Sequence, residues 1–88
     1  MSRKFVLSQE QREKIANRIR EVIFEHGYKT MSEFADEWQI SDQTLQNWVK
    51  DGNVNLAFLF VFCEKFNIDL RWVLQGPAFP KHKKPSPQ

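Results

Sequence analysis

Five capping signals cut this chain into short helical pieces, and nothing between them alternates long enough for a strand. Ser8 is a good N-cap, with Gln11 three residues later to complete a capping box. Behind it Ile15, Ile19, Val22 and Ile23 share one face of an amphipathic helix over about 9–26, which Gly27 stops. Thr30 and Glu33 form a second box, opening a helix over about 31–38 with Met31, Phe34, Ala35 and Trp38 as its apolar positions. Ser41 caps a third over about 42–50, with Leu45, Trp48 and Val49 inward and Gly52 at its end. Asn55 caps the apolar run Leu56 to Phe66, and Asp69 caps Leu70 to Gln75, where Gly76 and Pro77 end it. The expected fold is all-α, a compact bundle of five helices with short loops.

The size of 88 residues suits one domain, and 41% hydrophobic with 27% charged residues excludes wholesale disorder. The longest apolar run, Leu56 to Cys63, falls well short of the roughly 20 residues a membrane span needs. Arg3 and Lys4 have no apolar stretch behind them, so no signal peptide is expected. With one cysteine there is no internal disulfide, and the chain reads as cytoplasmic.

The charge is unevenly placed. Of the net +2, the ends carry Arg3, Lys4, Lys81, Lys83 and Lys84, so residues 5–80 hold 8 basic and 11 acidic residues, a net of −3. A basic arm over 1–8 therefore leads into a mildly acidic domain over 9–76. From Pro77 to Gln88, prolines at 77, 80, 85 and 87 flank the block Lys81, His82, Lys83 and Lys84, which predicts a mobile, extended basic tail. Such a tail is either an ordinary disordered end or a nonspecific contact with DNA.

Residues 30–52 carry the functional signal. Only Gln39, Ile40 and Ser41 join the second and third helices, a joint that fits the steep crossing of a helix-turn-helix. Ile40 plugs the turn, and Leu45 and Trp48 pin the third helix down. Asp42, Gln43, Gln46, Asn47 and Lys50 are left facing outward. Gln and Asn each offer a donor and an acceptor, and so can pair bidentately with adenine in the major groove. Lys50 can meet a phosphate or a guanine. Lys29, Thr30 and Ser32, at the start of the preceding helix, can hold the DNA backbone.

The sequence Phe34-Ala35, Ile40-Ser41, Thr44-Leu45, Trp48, Leu59, Ile68 and the closing Leu70-Arg71-Trp72-Val73-Leu74-Gln75-Gly76 resembles the N-terminal DNA-binding domain of phage CI-type repressors, within the lambda-repressor-like helix-turn-helix group. The resemblance covers about residues 9–76. It implies a five-helix bundle that binds operator DNA as a dimer, with residues 42–50 in the major groove. Carried over by position, the base-facing candidates are Asp42, Gln43, Gln46 and Asn47, with Ser41 and Lys50 at the ends. Larger members continue into an oligomerising domain, so this chain is either a stand-alone regulator or a fragment.

Two positions and one charge balance depart from the family pattern. Gln39 stands where glycine is usual, which argues against a left-handed turn or makes it slightly strained. Asn55 replaces a common proline and caps well. Residues 30–52 hold one lysine against Glu33, Asp36, Glu37, Asp42 and Asp51, a net of −4. There Asp42 would face phosphate with the wrong sign unless it accepts from a cytosine amine.

Trp48 and Trp72 fall on inward faces and read as core. Cys63 reads as a small buried hydrophobe, and His26 has no reason to lie near it. No metal site is expected from one cysteine and two distant histidines, nor any cofactor or enzymatic activity. On the fourth helix, Leu59, Cys63 and Phe66, with Leu56 and Phe62, suffice for the core. Phe58, Phe60 and Val61 are then surplus and suggest a homodimer interface, unless Phe5, Val6, Leu7 or Phe79 folds over them. The expected function is a DNA-binding regulator of phage or prophage type, a homodimer that occludes a promoter. The alternative is a protein-interaction module whose acidic face takes a protein partner instead of DNA.

Overall fold

A computed structural model describes residues 7–51 and 54–83 of the protein. The helices are α1 (Gln9–Glu25), α2 (Met31–Glu37), α3 (Asp42–Asp51), α4 (Leu56–Phe66) and α5 (Leu70–Gln75). Among the described residues no strand forms beyond one isolated antiparallel bridge between Ile68 and His82. The fold is all-α, and each helix begins and ends within about a residue of the boundary its caps predict.

The caps act through their side chains. Ser8 Oγ accepts from the Gln11 amide while Gln11 Oε1 accepts from the Ser8 amide, closing the expected box. Thr30, Asn55 and Asp69 accept from the amides of Glu33, Phe58 and Arg71. Gly27, at φ +91°, turns the chain off α1 as expected, whereas Gly52 lies outside the described residues.

The turn after α2 holds a surprise. Gln39 takes the left-handed conformation, at φ +57°, in the place where glycine is the easy choice. Two backbone bonds hold it there: the Ile40 amide donates to Ala35 O at 2.8 Å and the Gln39 amide to Asp36 O at 3.2 Å. That paired closure is a Schellman cap, which satisfies the last carbonyls of α2 and offsets the cost of a β-carbon in this region. So the left-handed turn is made without glycine. Asn67 (φ +56°) also ends α4 in the left-handed conformation, with its own amide and the Ile68 amide both on Cys63 O.

The core runs from α1 (Ile15, Ile19, Val22, Ile23) through Phe34 and Leu45 to α4 and α5. An aromatic cluster joins three helices: the Phe34 ring lies 4.9 Å from Trp38, 6.0 Å from Phe62 and 6.3 Å from Phe58, and Phe58 lies 4.6 Å from Trp48. Trp72 is buried and Trp48 half-buried against this core.

The inward face of α4 corrects the sequence expectation. Phe58 is only 9% exposed, so it belongs to the core and not to a dimer interface, while Leu56 is 73% exposed and leaves the core. Phe58 lies one turn before Phe62 and Leu59 one turn before Cys63, and these two rows together form the buried stripe. Leu59, Phe62 and Cys63 belong to both stripes, so taking Phe58 in place of Leu56 turns the inward face by only about a tenth of a turn, away from Leu56. Phe60 and Val61 stay exposed, as expected of surplus residues.

The C-terminal segment also departs from expectation. Through Lys83 it is not a free tail but a strap laid against the bundle. The Asp69 amide donates to Lys81 O and the Lys83 amide to Asn67 O. The Lys81 ammonium bonds Glu21 at 2.7 Å, also meets Glu25, and sits 5.2 Å from the Trp72 ring, while Lys83 pairs with Glu64. Burial works against the Lys81 charge, but the two carboxylates outweigh it and hold its pKa above that of an ordinary lysine. Phe79 anchors the strap by packing under the Arg71 guanidinium, 4.7 Å from its ring. The rest of the expected tail, 84–88, lies outside the described residues, as does 1–6 of the basic arm.

Two arginines of α1 tie down the ends of other helices. Arg18 Nη1 donates to Val73 O at 2.8 Å, and Arg20 Nη2 donates to Val49 O at 3.0 Å. Each places a cation at a helix C-terminus, where unsatisfied carbonyls concentrate negative potential. Gly76 closes α5 at φ +89° and ψ −150°, a region open almost only to glycine. A β-carbon there would lie 2.6 Å from Arg18 Nη2. Gly76→Ala should therefore cost about 1–3 kcal/mol in chemical denaturation, from backbone strain and a disturbed Arg18 contact together. Gly27→Ala, with nothing within 4 Å, should show the backbone part alone.

Candidate nucleic-acid interface

α3 is pinned to the bundle by Leu45 and Val49, 1% and 5% exposed, with Trp48 against Phe58. Because these positions share one side of the helix, Asp42, Gln43, Gln46, Asn47 and Lys50 emerge exposed on the other. All nine expected contact residues, including Lys29, Thr30, Ser32 and Ser41, are exposed.

Hydrogen bonds bring several of them together. Gln43 Nε2 donates to Asn47 Oδ1 at 3.1 Å, one helical turn apart. This leaves Gln43 Oε1 as acceptor and the Asn47 amide as donor. Ser41 Oγ accepts from the Thr44 amide at 3.1 Å and donates to Thr44 Oγ1, so it caps α3 as the sequence implies. Ser32 Oγ donates to Asp42 Oδ2 at 3.2 Å, linking the starts of α2 and α3. Asp42 thus serves the fold directly, since its charge complements the N-terminal end of α3 and its carboxylate fixes Ser32. Thr30 Oγ1 caps α2, with its hydroxyl proton free to donate. Lys29, Gln46 and Lys50 make no side-chain hydrogen bond among the described residues and remain separate.

The acidic character lies beside this row. Glu33, Asp36 and Glu37 of α2 are exposed, and Glu37 accepts the Tyr28 hydroxyl, which raises the Tyr28 pKa. Lys81 and Lys83 of the C-terminal segment do not counter it, since they are paired with Glu21, Glu25 and Glu64.

Cys63 is 3% exposed, and burial pushes its pKa up to about 11. A thiol so held is a poor nucleophile at neutral pH. Unfolded, the same group loses its proton near 9.0, so between these values the folded state binds more protons and stability falls as pH rises. Unfolding free energies of the protein, relative to Cys63→Ala, should drop by about 2–3 kcal/mol from below pH 9 to above pH 11. Among the described residues no group of His, Cys, Asp and Glu could hold a metal ion, and no helix is long and apolar enough to cross a membrane.

No protein-family model matches the chain, and no curated protein or solved structure shows significant similarity to it.

Proposed function

We propose that the protein is a sequence-specific DNA-binding regulator of the phage-repressor kind, with α3 lying in the major groove. The supporting observation is the exposed row Gln43, Gln46, Asn47 and Lys50 on a helix whose opposite side is locked into the core. Amides on a rigid helix read base edges at little cost in lost side-chain freedom, and the Gln43–Asn47 bond orders two of them in advance. Thr30, Ser32, Lys29 and Ser41 flank the row as backbone contacts. Phe60, Val61 and the exposed Leu56 form the surface through which two copies pair, placing two α3 helices on successive major grooves about 34 Å apart. The protein acts in the cytoplasm on nucleoid DNA, as a binding protein with no catalytic step, and represses by occlusion.

The exposed carboxylates Glu33, Asp36 and Glu37 favour a second reading, in which the same end of the bundle binds a basic protein. Selection from a pool of random duplexes separates the two. The DNA reading expects an enriched sequence with symmetric positions about one helical turn apart. Recovery of no preferred sequence would favour the protein partner.

A further inference from the structure

DNA binding needs a cationic surface, and of the tail lysines expected to supply it Lys81 and Lys83 are already paired with carboxylates, while Lys84 lies outside the described residues. Among the described residues, Lys14, Arg71, Lys81 and Lys83 all stand in ion pairs. Arg12, Arg18, Arg20, Lys29, Lys50 and Lys65 do not, and of these Arg12, Arg20 and Lys50 lie close together. They gather where α1 crosses the C-terminal end of α3: one recess is lined by Arg20, Val49, Lys50, Asn17 and Glu13, and the adjoining one by Arg12, Lys50, Gln9 and Glu13. Lys50 and Glu13 border both. We infer that Arg12, Arg20 and Lys50 form a phosphate-binding ledge that grips the DNA backbone where α3 leaves the groove. This rests on the DNA-binding reading and adds two α1 arginines to it.

Arg12 is the decisive member. It is half-buried, and among the described residues its buried Nε has no hydrogen-bond partner and no carboxylate pairs with it. A guanidinium whose Nε is shut off from water with no acceptor, in an acid-rich domain, is expected where an outside anion completes the site. Arg20 is held by Val49 O and by Asn17 Oδ1 at 3.0 Å, which fixes the planar fork that suits phosphate. Arg12 and Arg20 stand eight residues apart on α1, about 12 Å along its axis. That length spans several nucleotides of one strand at about 3.4 Å per step. Glu13 lies between the cations and opposes them, leaving the ledge at +2 by formal charge: Arg12, Arg20 and Lys50 less Glu13.

The test is the salt dependence of affinity for a labelled random-sequence duplex, from about 50 to about 200 mM salt, for the full chain. Wild type is compared with Arg12→Gln/Lys50→Gln, each checked for helicity by circular dichroism. Arg20 stays unchanged because it anchors α3. Losing two phosphate contacts should flatten the log–log slope by about 1.8, so that wild type loses about 12-fold more affinity than the double variant over that range. Glu13→Gln should act oppositely and tighten binding, a result open even if Arg12→Gln loosens the fold. If wild type binds and selects a sequence while slope and affinity ignore all three substitutions, the ledge is overturned and the DNA reading stands. If wild type binds no duplex at either salt, both fall.

Discussion

Phe58→Glu should abolish the folded state, whereas Phe60→Glu, two residues away, should leave it intact. Phe58 sits 9% exposed between Trp48, Phe34, Trp38 and Phe62, and Phe60 is 62% exposed. Removing a core aromatic ring costs about 3–5 kcal/mol. The glutamate adds the cost of a buried carboxylate with no partner, several kcal/mol more or an equivalent upward shift of its pKa. Small domains hold only about 5–15 kcal/mol in total, so no cooperative melt should remain in circular dichroism. Phe60→Glu should shift stability by less than about 0.5 kcal/mol. It should also turn the proposed dimer into a monomer in light scattering. A wild-type melt for Phe58→Glu would contradict this packing of α4.

That pair of residues also shows what a sequence can reveal. The helices were legible because each begins with a side-chain cap, at Ser8, Thr30, Ser41, Asn55 and Asp69, and these are local contacts that need no tertiary information. The outward row of α3 was legible because Leu45, Trp48 and Val49 define an unambiguous inner side. In α4 nearly every residue is apolar, so periodicity leaves the facing undetermined and packing against Phe34 and Trp38 decides it. The strap was hidden for a related reason. Proline and lysine composition describes a segment by itself, while Phe79 on Arg71 and Lys81 on Glu21 are contacts across the fold. Gln39 departs from local rules because the Ile40 and Gln39 amide bonds outweigh its φ preference. Arg12 and Arg20 alternate with Glu13, Glu21 and Glu25 along α1, a mixed-charge pattern that by itself describes only a solvated helix face, and packing of α3 is what brings them beside Lys50.

Replacing Gln43 or Gln46 by alanine should remove discrimination at one base position per half-site, by about 1–3 kcal/mol each. Both are exposed, so folding should hardly change. Nonspecific affinity should also hold, because an uncharged amide displaces no counterions. Gln43→Ala carries a second signature: it frees Asn47 from its hydrogen bond, so preference at the base nearest Asn47 should weaken too. Asp42→Asn should tighten binding to any duplex by removing a charge near phosphate, while still accepting from Ser32. The most direct measurement is a titration of wild type, Gln46→Ala and Asp42→Asn against the selected duplex and a scrambled one, at two salt concentrations. Wild type should prefer the selected duplex, Gln46→Ala should lose about 5- to 150-fold of that preference for each half-site at unchanged scrambled affinity, and Asp42→Asn should tighten both. Equal affinity of wild type for both duplexes, unmoved by either substitution, would contradict base reading by α3.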